Sequence, residues 1–416
     1  MSSRINVSKQ KGFFPSLLLI ALASQFVYYF DVFDGTYERC LGLVMLAISM
    51  IVVGYFFGAT IKLSNTKLHA RNAMSQSFFD AKFLKRVSMV FLLIGVIAHL
   101  VYYSSNPVTT YGESYGAGRG NGFITVFFNF VPLSFILNEF LISRGKASRR
   151  FTVFNRVAIL VFCGMYFFYL MKRRQILFLL IAVIAVWGPK IKPSTKAVAY
   201  VLGIVLILSF TIFGKVRGYF DANGLAMTIV YAVSNFDWSW LALDEMEGKY
   251  ISRTLNDIYG YVAANGCDPS VLMGVLFCMV PRVLLGGSKP LAFPEWYTYH
   301  FYPADYQAGT GYAGSIIGEF YLIGGVLLVI VAFFLIGFVT AKMQIRGRTS
   351  NDIVGNLVYA IYIYTLLLLP RYDLASLLID VVFIYTPMIW AVRCSLSRPS
   401  KEAARKLSAI RTGVSE

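Results

Sequence analysis

Long apolar runs separated by short polar, mostly basic stretches set the pattern of this chain. A membrane-crossing helix needs about 17–25 mostly apolar residues, and such runs recur at 13–30, 40–60, 87–104, 122–142, 154–171, 175–188, 197–214, 312–341, 353–370 and 374–392. The pattern predicts an all-α polytopic membrane protein of about ten transmembrane helices. The first run follows Arg4, Lys9 and Lys11 and has no small-x-small cleavage site, so it is expected to be a retained helix rather than a removed signal. Residues 217–311 break the rhythm, with GYFDANG, NFDWSWLALDEMEGKYISRTLND, one short apolar run and an aromatic, Pro-rich stretch. This region is expected to be a large outer loop, within a single membrane domain spanning 1–416, that carries amphipathic or re-entrant helices. Its tryptophans and tyrosines argue against disorder.

Composition supports the membrane assignment, since 57% of the 416 residues are hydrophobic and only 14% are charged. Soluble chains carry about 25% charge. The net charge of +17 would suggest nucleic acid in a soluble protein; here positive-inside loops account for it, and no nucleic-acid partner is expected. Five scattered cysteines and three dispersed histidines make neither a disulfide framework nor a zinc cluster. No protein-bound metal and no cofactor are expected.

Counting crossings assigns most of the Lys and Arg to one side, in segments such as RGKASRRFTVFNR, KIKPSTK and KMQIRGR. Both termini then lie inside. Eight cations fall on the other side, each near the outer end of an apolar run: Lys172, Arg173, Arg174, Lys215, Arg217, Arg282, Lys289 and Arg371. Arg39, Arg119, Lys249 and Arg253 also face outside, in polar surroundings that suit ordinary solvated charges. The runs flanking Lys172–Arg174 are shorter than the roughly 20 residues that span a 30 Å core, so the triple cation is expected to be recessed. Two plainer readings stand beside this one: residues 154–188 as one broken crossing, and cations that snorkel to lipid headgroups. The functional reading is a seat for a lipid-linked diphosphate, because the arginine fork donates paired hydrogen bonds to phosphate oxygens.

The segments PRVLLGGSKP (281–290), GTGYAGSIIGEFYLIGGV (309–326), KVRGYF (215–220) and LLPRYDLAS (368–376), with the Arg173–Arg174 pair opening a span, resemble the Wzy-type O-antigen and oligosaccharide repeat-unit polymerases. Where that family often continues with an Asn-Phe-Gly-like motif, this chain reads Leu322-Ile323-Gly324-Gly325. The resemblance implies a metal-independent glycosyltransferase with a GT-C-like fold in the bacterial inner membrane, its active site facing the periplasm. It implies undecaprenyl-diphosphate-linked glycan donor and acceptor, with membrane lipid and a chain-length regulator as partners. The growing chain would pass to an incoming lipid-linked unit. An O-antigen ligase or a lipid-linked oligosaccharide flippase is the alternative.

Glycosyl transfer needs stabilisation of the departing diphosphate and removal of a proton from the acceptor hydroxyl. The diphosphate candidates are Arg173, Arg174, Lys215, Arg217, Arg282, Lys289 and Arg371. Glu319, a lone carboxylate in an apolar span, is the first candidate base; neutralisation by one nearby arginine is its bland alternative. His300 is the second candidate, with packing among tyrosines as its alternative. Asp373 is expected to partner Arg371. Trp296, Tyr299 and Tyr321 are the sugar-stacking candidates, although interfacial anchoring explains the loop aromatics equally well.

Overall fold

A computed structural model describes residues 16–61, 79–105, 122–169, 173–187, 212, 216, 227–241, 248–285, 289–307, 309, 311–348 and 353–396. Among these residues the regular structure is entirely helical. The helices used below are α1 Leu17–Tyr28, α2 Leu41–Thr60, α3 Ala81–Ser105, α4 Phe130–Ser143, α5 Arg149–Gly164, α6 Arg173–Trp187, α7 Gly248–Asn265, α8 Val271–Leu276, α9 Phe293–Phe301, α10 Ile316–Arg348, α11 Ile353–Leu368, α12 Leu374–Asp380 and α13 Thr386–Leu396. Among the described residues seven helical stretches are long and apolar enough to cross a membrane: Glu38–Thr60, Ala81–Ser105, Phe123–Ser143, Arg149–Phe167, Ile316–Gly347, Val354–Arg371 and Leu374–Leu396. Leu17–Tyr28 and Arg174–Trp187 are shorter apolar helices. All of them fall on expected spans; the remaining one, 197–214, lies almost wholly outside the described residues.

The bundle has two recognisable ends. At one, Leu17 N–H donates to Gln344 Oε1 at 2.6 Å and Lys342 Nζ to Ile61 O at 2.8 Å. At the other, Tyr29 OH and Ser315 Oγ share a hydrogen bond of 2.8 Å, and Tyr29 OH also reaches Pro370 O at 3.5 Å. This second end is the site end. Between the ends, α2 and α10 pack along their length through glycines. A Cβ on Gly54 would meet Phe334 O at 2.1 Å, and one on Gly337 would meet Ile51 O at the same distance. Close backbone approach through small residues is how helices associate where lipid removes the hydrophobic drive.

Helices α5 and α6 form a hairpin. Asn155, near the start of α5, donates to Glu139 Oε1 at 2.9 Å, and Trp187, at the end of α6, donates to Glu139 Oε2 at 2.9 Å. Two residues 32 positions apart at one carboxylate require the chain to go out and return. That excludes a single broken crossing and puts Arg173 and Arg174 at the head of the returning helix.

Residues 248–285 and 289–307 roof the site end. Ile251, Leu255 and Ile258 line one face of α7 at helical spacing and are buried, while Lys249 and Arg253 are exposed. Ser252 Oγ donates to Tyr28 O at 3.2 Å, and Arg39 Nε holds Asn256 Oδ1 at 2.7 Å. The roof also seals a break in α10. Gly324 and Gly325 leave the helix, with Gly325 at φ 63° and ψ −157°, a combination that glycine alone tolerates. Leu322 O, which would have accepted from the next turn, takes Asp268 N–H at 2.7 Å, and Cys267 Sγ sits 3.9 Å from Tyr321 O.

Candidate functional site

The turn between α11 and α12, Leu369 to Asp373, gathers the charged groups of the site end. Arg174 at the head of α6 reaches across to it. Its Nε donates to Tyr364 OH at 3.2 Å, and its Nη2 donates to Tyr372 OH at 3.3 Å and to both Asp380 oxygens at 3.2 Å. The guanidinium lies 5.4 Å from the Tyr372 ring centre, and Tyr372 OH donates to Asp380 Oδ2. Asp380 is buried, whereas half of the Arg174 side chain is exposed. The carboxylate thus anchors one edge of the guanidinium, and Nη1 is engaged by no partner among the described residues. A fork held on one edge and open on the other is suited to an anionic ligand.

Glu319 lies one helical turn into α10 and is 0% exposed. Its Oε2 accepts Leu374 N–H at 2.7 Å, and its Oε1 is buried without a hydrogen-bond partner. No arginine neutralises it among the described residues. Its acidic neighbour is Asp373, which caps α12 by accepting Ser376 N–H at 3.2 Å rather than pairing with Arg371. Burial raises the Asp373 carboxyl above its ordinary value. Arg371, in the same turn, is exposed.

Lys289 donates to Cys278 O at 2.8 Å. Burial raises the Cys278 thiol, and the Lys289 charge opposes the rise. Arg174, from the head of α6, therefore meets the turn that carries Arg371 through Tyr372, while Lys289 is held on Cys278. The side chains of Arg173 and Arg282 are outside the described residues, as are Lys215 and Arg217 entirely. His300 is exposed on the roof. Its ring stacks on Trp296 at 4.1 Å and its Nδ1 is 2.9 Å from Trp296 O. Trp296 is buried with Ile258, Leu322 and Ile323, Tyr299 is exposed, and Tyr321 stacks on Tyr259 at 5.5 Å. Sequence reasoning missed Tyr364, Tyr372 and Asp380. Asp380 carried the same signal as Glu319, an isolated acid within an apolar run.

These observations define the class: a polytopic all-helical membrane protein with cations and buried carboxylates assembled at one end of its bundle. The family model for the O-antigen polysaccharide polymerase Wzy matches residues 286–397, from just before Lys289 through α13. Over that segment, about a quarter of the chain, the sequence is similar to the Wzy-type O-antigen polymerases, a likeness that supports repeat-unit polymerisation in general. Arg174 and α7 lie outside it. Comparison with curated proteins and with solved structures gives no match.

Proposed function

We propose that the protein polymerises undecaprenyl-diphosphate-linked repeat units at the periplasmic face of the bacterial inner membrane. The acceptor hydroxyl oxygen attacks the anomeric carbon at the reducing end of the growing chain. The new glycosidic C–O bond forms as the bond to diphosphate breaks, and undecaprenyl diphosphate leaves with the electron pair. In this reading Arg174 and Arg371 receive the charge on the leaving diphosphate, with Lys289, Arg173, Arg282, Lys215 and Arg217 as further candidates. Preorganised cations in a poorly hydrated site stabilise charge as it develops.

The acceptor proton goes to Glu319 in this reading. What supports that role is its unengaged Oε1, oriented by the Leu374 N–H on the other oxygen. His300 is the second candidate, because it is the one imidazole exposed on the described roof. The chemistry is proposed to run without a metal; among the described residues no group of three His, Cys, Asp or Glu is placed to hold one.

The observation that carries the proposal is the junction at residues 371–374 of the half-exposed Arg174 fork with the Glu319–Asp373 carboxylates, inside the family-matched segment. Deleting the gene and resolving surface glycan by gel electrophoresis tests it. Loss of the long-chain ladder with one repeat unit still attached is the expected result. Complete loss of attached units would point instead to a ligase or flippase.

A further inference from the structure

The roof carries a cluster that the reaction above does not use. Tyr302 and Tyr312 are half-exposed, with ring centres 4.4 Å apart at 33°. The Arg253 guanidinium sits 5.2 Å over the Tyr302 ring, on the exposed face of α7. One turn along α7, Asp257 Oδ2 accepts from Tyr297 OH at 2.7 Å and from Tyr302 OH at 3.3 Å. Tyr312 OH donates to Asp305 Oδ2 at 2.9 Å. Burial first, then hydrogen bonding with Tyr302 and Asp257, holds the Tyr297 phenol well above its ordinary value, so it stays a donor to the carboxylate.

Each phenol is thus turned toward a carboxylate, which fixes the rings in place. Among the described residues, Oδ1 of Asp257, Oδ1 of Asp305 and the guanidinium donors of Arg253 form no hydrogen bonds. The result is an aromatic pair with the Arg253 donors over Tyr302 and two unengaged carboxylate oxygens, one on each of the acids that the phenols hold. That chemistry selects among ligands. A polyanion would face two carboxylates against one guanidinium, and an acyl chain would leave three charges beside apolar surface. A neutral pyranose satisfies all of it: its C–H face covers a tyrosine ring, its hydroxyl protons go to the carboxylates, and its oxygens accept from Arg253.

The cluster is also close to the reaction centre. Thr298 Oγ1 accepts Tyr312 N–H at 3.0 Å, and a Cβ on Gly314 would lie 3.6 Å from Asp373 Cβ. Two residues of extended chain span at most about 7 Å, so the Tyr312 backbone lies within about 12 Å of the Asp373 turn, a distance that two linked sugar rings cover.

We propose that Arg253, Asp257, Tyr302, Asp305 and Tyr312 form a saccharide subsite that holds a neutral sugar of the repeat-unit glycan beside the transfer site. The subsite rests on the polymerase reading for its biological ligand, but its binding is measurable without turnover. The probe is the lipid-free repeat-unit oligosaccharide, one unit or several units long, released from the producing strain's surface polysaccharide. Saturation-transfer NMR on the full chain in detergent should show contact between sugar C–H groups and aromatic protons. Arg253→Ala and Asp257→Asn, checked for folding by circular dichroism, should each weaken binding about tenfold, the scale of a hydrogen bond to a charged group. Tyr302→Phe, which keeps the platform, should weaken it less.

Stronger binding of the single unit assigns the subsite to the incoming acceptor, and stronger binding of the longer glycan assigns it to the growing chain. Equal binding by wild type, Arg253→Ala and Asp257→Asn overturns the proposal, as does no binding by folded wild type. Arg174→Lys should still bind the oligosaccharide while losing chain extension. If it keeps chain extension, the diphosphate seat fails and the subsite does not.

Discussion

Two glutamates buried in membrane-spanning helices, Glu139 and Glu319, have opposite surroundings. Glu139, 2% exposed, accepts from Asn155 on one oxygen and from Trp187 on the other, with Arg156 Nε at 4.0 Å. Asn155 in turn accepts from Asn138 at 2.9 Å, and Asn138 accepts from Ser88 at 2.6 Å, so one polar chain links α3, α4, α5 and α6. Glu319 has one donor, one empty oxygen and an acid for a neighbour. A carboxylate in an apolar helix is therefore not a site by itself. A fully bonded one ties helices together, and only an incompletely bonded one retains capacity to accept a proton.

The sharpest way to break this comparison is Glu319→Gln against Glu139→Gln. Glutamine at 319 still accepts from Leu374, so the protein should accumulate normally while chain extension falls about 10²-fold or more, the range for removal of a general base. A full-length ladder from Glu319→Gln would end its role as proton acceptor. Arg174→Ala should also abolish the ladder, but leaving Asp380 buried and unpaired costs stability, toward the lower end of about 3–5 kcal/mol because the arginine is half exposed. The double variant Arg174→Ala/Asp380→Ala should recover protein level without recovering chains; recovery of chains would make the fork structural.

Smaller effects follow on the other side of the comparison. Glu139→Gln turns an amide donor toward Asn155 or Trp187 and should lose about 1–3 kcal/mol, seen as a lower thermal midpoint in detergent, with unchanged chain length per folded molecule. Gly325→Ala forces a side chain into a conformation reserved for glycine, and a loss of about 1–3 kcal/mol should loosen the 266–268 seal, read as faster hydrogen exchange there. The smallest expected effect is from His300→Ala, within about twofold of wild type as for an ordinary surface change. Collapse of the ladder in that variant would move the proton acceptor to the imidazole.

Much of the fold was legible in the residues because lipid imposes a length rule on each apolar run. Glu319 and the Arg173–Arg174 pair stood out because charge beside such runs is costly. The partners of these groups were not legible. Arg174 meets Asp380 206 residues away, and no local periodicity links the two. Asp373 was expected to pair with its neighbour Arg371, but its position before α12 turns its carboxylate to the Ser376 N–H instead, as an N-cap. Trp296 was a candidate sugar platform from its aromatic surroundings, yet the roof folds it inward against Leu322 and Ile323.

Sequence alone determined the helical class, most of the spans and the presence of charge at their ends, because each follows from transferring local segments into an apolar phase. Tertiary structure decided which charges meet. The α5–α6 hairpin returns Arg174 to the turn after α11, and the glycine-packed α2–α10 pair and the roof hold that turn in place. Hydrogen bonds between residues hundreds of positions apart depend on the packing of whole helices, which local residue pattern does not encode.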